Sequence, residues 1–146
     1  MTSFVLDASV AVKWVIPSAR ETLVDESLRL LQRYVRGEIN FIVPDVFWAE
    51  VGNVLWKGFH YRRWPQSIAA TAASRITDRD FFTVSSLTLL PEALKIALAR
   101  DRSVYDCLYV ALAIQFKTEL ITADERLANS LAALLPVKWL GAFAPE

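Results

Sequence analysis

Apolar residues recur along this chain in two rhythms. Short unbroken runs, Phe4 to Leu6, Phe41 to Val43, Leu120 to Ile121 and Val137 to Leu140, read as buried strands, with Phe81 to Val84 as a further one. Between them, apolar positions return at helical spacing. Ala8 to Val15 forms a first helix stopped by Pro17. Leu23, Val24, Leu28, Leu30, Leu31, Tyr34 and Val35 mark a second, with acids early, Arg33 and Arg36 late and Gly37 just beyond. Pro44 and Asp45 open a third helix running through Trp56, and Pro65 an Ala-rich one to about Ile76. Pro91 starts a helix to about Arg100, Ser103 one through Phe116, and a short helix follows Asp124.

Short apolar strands alternating with helices call for a parallel sheet covered on both faces, so the fold class is α/β. No repeat, low-complexity tract or Gly/Ser linker interrupts the pattern. With 146 residues, 54% of them hydrophobic, residues 1–146 are expected to form a single domain with a sizeable core.

Composition narrows the chemistry. Sixteen basic residues balance sixteen acidic ones, so no net field draws the molecule onto nucleic acid and any such binding must be local. Val51 to Thr77 carries Lys57, Arg62, Arg63 and Arg75 without an acid, interleaved with Trp56, Phe59, Tyr61 and Trp64. That is either a base-stacking strip or a solvated helix end whose aromatics serve a core or dimer. Cys107 is the single cysteine, which excludes an internal disulfide and a cysteine-based zinc cluster. The longest apolar run, Cys107 to Ile114, falls short of the roughly 20 residues a membrane helix needs. Asp7 interrupts the N-terminal apolar stretch and no basic leader precedes it, so a soluble, cytoplasmic protein is expected.

Open α/β sheets place ligands beyond the carboxyl ends of their strands, where Asp7 and Asp124 fall. Each also suits a helix N-cap, and Ser103 with Asp106 fits a capping box. Glu50 resists a bland reading. Its helical neighbours are Val46, Phe47 and Val54, and a carboxylate on an apolar face needs a cation or a metal. Four gathered carboxylates without His or Cys suit Mg²⁺ or Mn²⁺, and such an ion activates water and stabilises phosphoryl charge. Other chemistries lack parts: His60 is the lone histidine, and neither a Gly-rich dinucleotide loop nor a P-loop is present.

The segments FVLDASVAVKW, VPDVFWAEVGNVL, SVYDCLYVALA and LITADERL, with Asp7, Glu50, Asp106 and Asp124 in that order, resemble the acidic signature of PIN domains, especially the VapC-like toxins. The resemblance covers nearly the whole chain. It implies a three-layer α/β/α sandwich with a central parallel sheet, and metal binding by Asp7, Asp106 and Asp124, with Glu50 completing the acidic pocket. Ser9 and Thr122 become supporting hydroxyls, Asn53 an amide that orients Glu50, and Lys57, Arg62 and Arg63 RNA-contacting cations. Cys107 stands where the family usually has alanine, a change expected to affect packing only. The implied activity is Mg²⁺-dependent endonucleolytic cleavage of single-stranded RNA by a homodimeric toxin, blocked by a cognate antitoxin that Trp14, Trp48, Trp56 or Trp64 could help to seat. An RNA-processing nuclease without antitoxin and a silent PIN-like binding module are the alternatives. An aspartyl-phosphate enzyme is more remote, because the second acid expected two positions after Asp7 is Ser9.

Overall fold

The computed structural model describes residues 1–17 and 21–143. Five parallel strands, β1 (Thr2–Leu6), β2 (Ile39–Pro44), β3 (Phe82–Val84), β4 (Leu120–Thr122) and β5 (Val137–Trp139), form one sheet in the order β3-β2-β1-β4-β5. Among the described residues seven α-helices connect and cover them: α1 (Ala8–Ala11), α2 (Val24–Val35), α3 (Val46–Arg62), α4 (Gln66–Thr77), α5 (Ser86–Arg100), α6 (Val104–Gln115) and α7 (Glu125–Leu131). The strand order steps outward from β1 to β3, then jumps back to β4 on the other side. Right-handed crossovers therefore put α1 to α4 on one face and α5 to α7 on the other. The result is a three-layer α/β/α sandwich, with α6 packed across β1, β2 and β4.

The buried strands explain themselves by composition. Val5, Leu6, Phe41, Val43, Leu120 and Ile121 are completely buried, as a parallel sheet covered on both faces requires. On one side an aromatic cluster of Trp14, Tyr34, Phe41, Phe47, Trp48 and Phe81 fills the core, with neighbouring ring centroids 4.9–6.3 Å apart. Trp14 donates its indole N–H to the Ser27 carbonyl at 2.8 Å, and Trp48 donates to Thr83 Oγ1 at 3.1 Å. Both tryptophans are thereby committed to the core. Trp56 is exposed, Trp64 is partly buried, and Cys107 is a buried free thiol.

Several boundaries differ from the sequence reading. The first helix ends at Ala11 and tightens into a 3₁₀ turn over Val12–Trp14 rather than continuing to Val15. The third runs six residues past Trp56 to Arg62, where Arg63 adopts a left-handed conformation ahead of Pro65. Gly58 lies against the Trp64 indole there, leaving no room for a side chain. The fifth helix begins at Ser86, not Pro91, because Ser85 caps it by accepting the Leu87 N–H. Pro91 then sits inside the helix with its ring exposed.

Candidate active site between strands β1 and β4

In an outward-stepping sheet, the crevice opens where the strand order reverses, here between β1 and β4. Two acids leave those strands at their carboxyl ends. Asp7 follows β1 and occupies the N-cap position of α1, yet its side chain caps nothing. Instead its Oδ2 accepts hydrogen bonds from Ser9 Oγ at 2.5 Å and Thr122 Oγ1 at 2.8 Å. Ser9 Oγ in turn accepts the Ala123 N–H at 3.0 Å, and Thr122 Oγ1 the Asp124 N–H at 3.0 Å. This network ties the ends of β1 and β4 together and fixes the Asp7 carboxylate. Asp7 is nearly buried, and burial pushes its pKa up. The two hydroxyls counter that, while the charges of Asp106 and Asp124 add to it.

Asp124 does cap its helix, accepting the Leu127 N–H on Oδ1 at 3.1 Å, and is exposed. Asp106 lies in the first turn of α6, and only half of the expected capping box forms. Ser103 Oγ accepts the Asp106 N–H at 3.2 Å, but the Asp106 carboxylate accepts from the Arg102 guanidinium at 3.2 Å rather than reaching back to the cap. Each of these aspartates thus has a fixed oxygen: Oδ2 of Asp7, Oδ2 of Asp106 and Oδ1 of Asp124.

Glu50 projects from α3 toward the same crevice. Its Oε1 is buried without a hydrogen-bond partner, and its pKa is pushed up to about 7. Burial is the main cause, followed by the charge of Asp7, with a smaller rise from Asp106. The hydroxyl of Tyr109, on α6 one turn beyond Asp106, is close enough to temper that rise. Their geometry stops short of a formed hydrogen bond, so Tyr109 Oη is also buried and unpartnered. Burial first, and then the charges of Asp7 and Glu50, push the phenol's pKa up and hold it in its protonated form. A buried acceptor and a buried donor left open beside two carboxylates mark a place built for something other than packing.

The donor set fits a hard cation. Among the described residues no three His, Cys, Asp or Glu side chains close into a ready cluster. Mg²⁺ does not ask for one, since it commonly keeps several waters and takes only one or two carboxylates. The electrostatic coupling of Asp7 with Asp106, Asp124 and Glu50 is the strain such an ion relieves.

The remaining expected residues separate. Asn53 is exposed, and Glu50 Oε1 lacks a partner. Arg62 is half-engaged: it bridges Glu21 at 3.1 Å, which also holds Lys13 at 3.2 Å, and it lies over the Trp64 ring. Lys57 is exposed and lines a groove of about 290 Å³ with Val54, Tyr61 and Trp64. Val54, Lys57 and Tyr61 of the groove fall on the stripe of α3 that also carries Glu50, while the groove itself is lined by none of the four acids. Arg63 is exposed, and the exposed Trp56 stacks on His60 with centroids 4.8 Å apart. Arg102 and Tyr109 were missed by the sequence reading. The signal for Tyr109 was helical spacing, three residues after Asp106 on α6, whereas Arg102 precedes the Ser103 cap and lies outside the helix, where periodicity carries no signal.

A family model described as PIN domain matches residues 4–130. Ribonuclease VapC3 of Pyrobaculum aerophilum is 31% identical over 137 residues, spanning 90% of this chain and 96% of that protein. The crystal structure of PAE2754 from Pyrobaculum aerophilum shares the fold with a TM-score of 0.68, at 18% identity, over 96% of this chain and 85% of that one. The acid-bearing crevice lies within the matched region, and the chain belongs to the PIN-domain family as a VapC-like member.

Proposed function

We propose that this protein is a metal-dependent endoribonuclease that acts as the toxin of a toxin-antitoxin pair. The observation that carries the reading is the convergence of Asp7, Glu50, Asp106 and Asp124 on the crevice at the β1/β4 reversal, in a chain similar to a VapC ribonuclease. Asp7, Asp106 and Asp124 hold Mg²⁺, or Mn²⁺ in its place, and Glu50 completes the pocket. A cation held there would supply activation of a water and stabilisation of charge on the phosphoryl group. Ser9 and Thr122 hold Asp7 in its orientation. Without the metal, burial and the charge of Asp7 push the Glu50 carboxyl up to about 7, and a cation in the pocket would draw it back toward the ionised form that completes the acidic set. Single-stranded RNA runs along the α3 groove past Lys57, with Arg63 and the free side of Arg62 near its end.

We read residues 1–146 as one domain, and the continuous core supports this. A homodimer is supported by the exposed stripe of Leu87, Leu90, Leu94 and Leu98 on α5, an apolar face that a second copy would cover. No helix among the described residues is long and apolar enough to cross a membrane, in keeping with a cytoplasmic protein. Controlled expression in a bacterial host tests the toxin role. Growth arrest that is absent for Asp7→Asn and relieved by co-expressing a small neighbouring reading frame supports it. Unimpaired growth with soluble, RNA-cleaving protein favours a processing nuclease instead.

A further inference from the structure

Arg102 stands just before the Ser103 cap of α6, four positions ahead of Asp106 in the sequence. Among the described residues its bridge to Asp106 Oδ2, at 3.2 Å, is the one ion pair that reaches any of the four acids. The pair is partly sheltered, with side-chain exposures of 25% for Arg102 and 33% for Asp106. It is also incomplete. A guanidinium carries five N–H donors in a rigid fork, and a settled structural pair with carboxylate is commonly bidentate. Here a single terminal nitrogen makes the bond, while the buried Nε has no acceptor. Buried donors are rarely left open in a finished structural contact.

Charge sharpens the point. Asp106 adds a small upward push to the pKa of both Asp7 and Glu50, so its charge reaches two other acids of the cluster. An arginine on that carboxylate does part of what a divalent ion does, by neutralising one of four negative charges. Both cannot use Asp106 fully, because a guanidinium and a metal at one carboxylate repel each other.

We propose that Arg102 is a built-in counter-ion of the acidic pocket: its guanidinium holds Asp106 in the metal-free protein, competes with the metal for that carboxylate, and turns to an RNA phosphate once the metal has taken it. The inference rests on the metal and RNA reading given above. Displaced from Asp106, the guanidinium needs another anion, and its planar fork matches phosphate better than a lysine ammonium does. The chain thereby keeps its carboxylates ordered without a metal, at the cost of weaker metal binding.

The test titrates Mn²⁺ into the folded, RNA-free protein by calorimetry for wild type, Arg102→Gln and Arg102→Lys, and then measures cleavage of a labelled single-stranded RNA at saturating Mn²⁺. Arg102→Gln binds Mn²⁺ about three- to tenfold more tightly, the range expected for losing a partly exposed competing charge. Arg102→Lys, which keeps the charge, stays near wild type. Both variants lose kcat/KM for RNA by about tenfold or more, because neither presents a bidentate fork. A merely structural arginine would weaken metal binding and cleavage together, so the opposite signs are diagnostic. Coincident Mn²⁺ isotherms for wild type and Arg102→Gln, or weaker binding by the variant, overturn the competition. Unchanged kcat/KM overturns the phosphate contact. Wild-type protein that binds no Mn²⁺ overturns the metal site itself, whereas wild type that binds Mn²⁺ and cleaves RNA beside an indistinguishable Arg102→Gln overturns only this inference.

Discussion

Replacing Glu50 by glutamine removes the charge that folding confines in the crevice while keeping the shape of the side chain. In the folded protein the carboxyl titrates at about 7 instead of its ordinary 4.5, chiefly because it is buried and faces Asp7. Since the folded state binds the proton more tightly than the unfolded chain, this group's contribution is fully present below pH 4.5 and is lost as pH rises through 7. At about 1.36 kcal/mol per pH unit the difference amounts to roughly 3 kcal/mol, and screening at a partly exposed site reduces it to about 2 kcal/mol. Urea denaturation in EDTA at pH 4.5 and pH 8 is the assay. Wild-type protein is expected to lose about 2 kcal/mol more than Glu50→Gln across that interval. Asp7 is raised by burial in both proteins, so the difference between them reports Glu50 together with its coupling to Asp7. Added Mg²⁺ should restore wild-type stability at pH 8 and do less for Glu50→Gln. Parallel stability curves for the two proteins would refute the argument that Glu50 is a confined, uncompensated charge.

Thr122→Val deletes one of the two hydroxyls that fix Asp7 Oδ2, and Mn²⁺ affinity measured by calorimetry should fall about tenfold, as it does for supporting partners of metal ligands. Leu94→Lys places a charge in the middle of the exposed α5 stripe, and light scattering should show a monomer where wild type shows a dimer. Gly58→Ala forces a methyl group into the Trp64 indole. Thermal denaturation should show a net loss of about 1 kcal/mol, because overpacking outweighs the gain in helix propensity, and Trp64 emission should shift as the ring moves.

Much of the fold was legible because buried parallel strands announce themselves. Phe41 to Val43 and Leu120 to Ile121 have no polar side chain to offer solvent, and the structure buries them completely or nearly so. Boundaries were less legible where two signals competed. Pro91 is a strong helix opener, but the cap at Ser85 starts α5 one and a half turns earlier and carries the proline inside. The α1 helix gives way to a 3₁₀ turn at Val12, where Trp14 turns inward to meet Ser27 and the aromatic core. At the site, the order of the acids along the chain was readable, and so was the problem posed by Glu50 on an apolar face. The roles of the hydrogen bonds were not. Asp7, Asp106 and Asp124 all had the sequence of a capping residue, yet only Asp124 caps with its carboxylate. Burial decides the difference, since Asp7 is enclosed between β1 and β4 where hydroxyls from Ser9 and Thr122 reach it first. Tyr109 was hidden because helical spacing alone does not say which of several neighbours turns toward an acid, and Arg102 because it stands ahead of the Ser103 cap, outside the helical pattern.

The most direct test of the account is cleavage of a labelled single-stranded RNA by the purified protein, with Mg²⁺ or Mn²⁺ and with EDTA, beside Asp7→Asn and Asp106→Asn. The account predicts cutting that requires the ion and falls at least ~100-fold in both variants, because each removes a charge that holds the metal at the scissile phosphate. Cutting that persists in EDTA, or that both variants carry out at the wild-type rate, would contradict it.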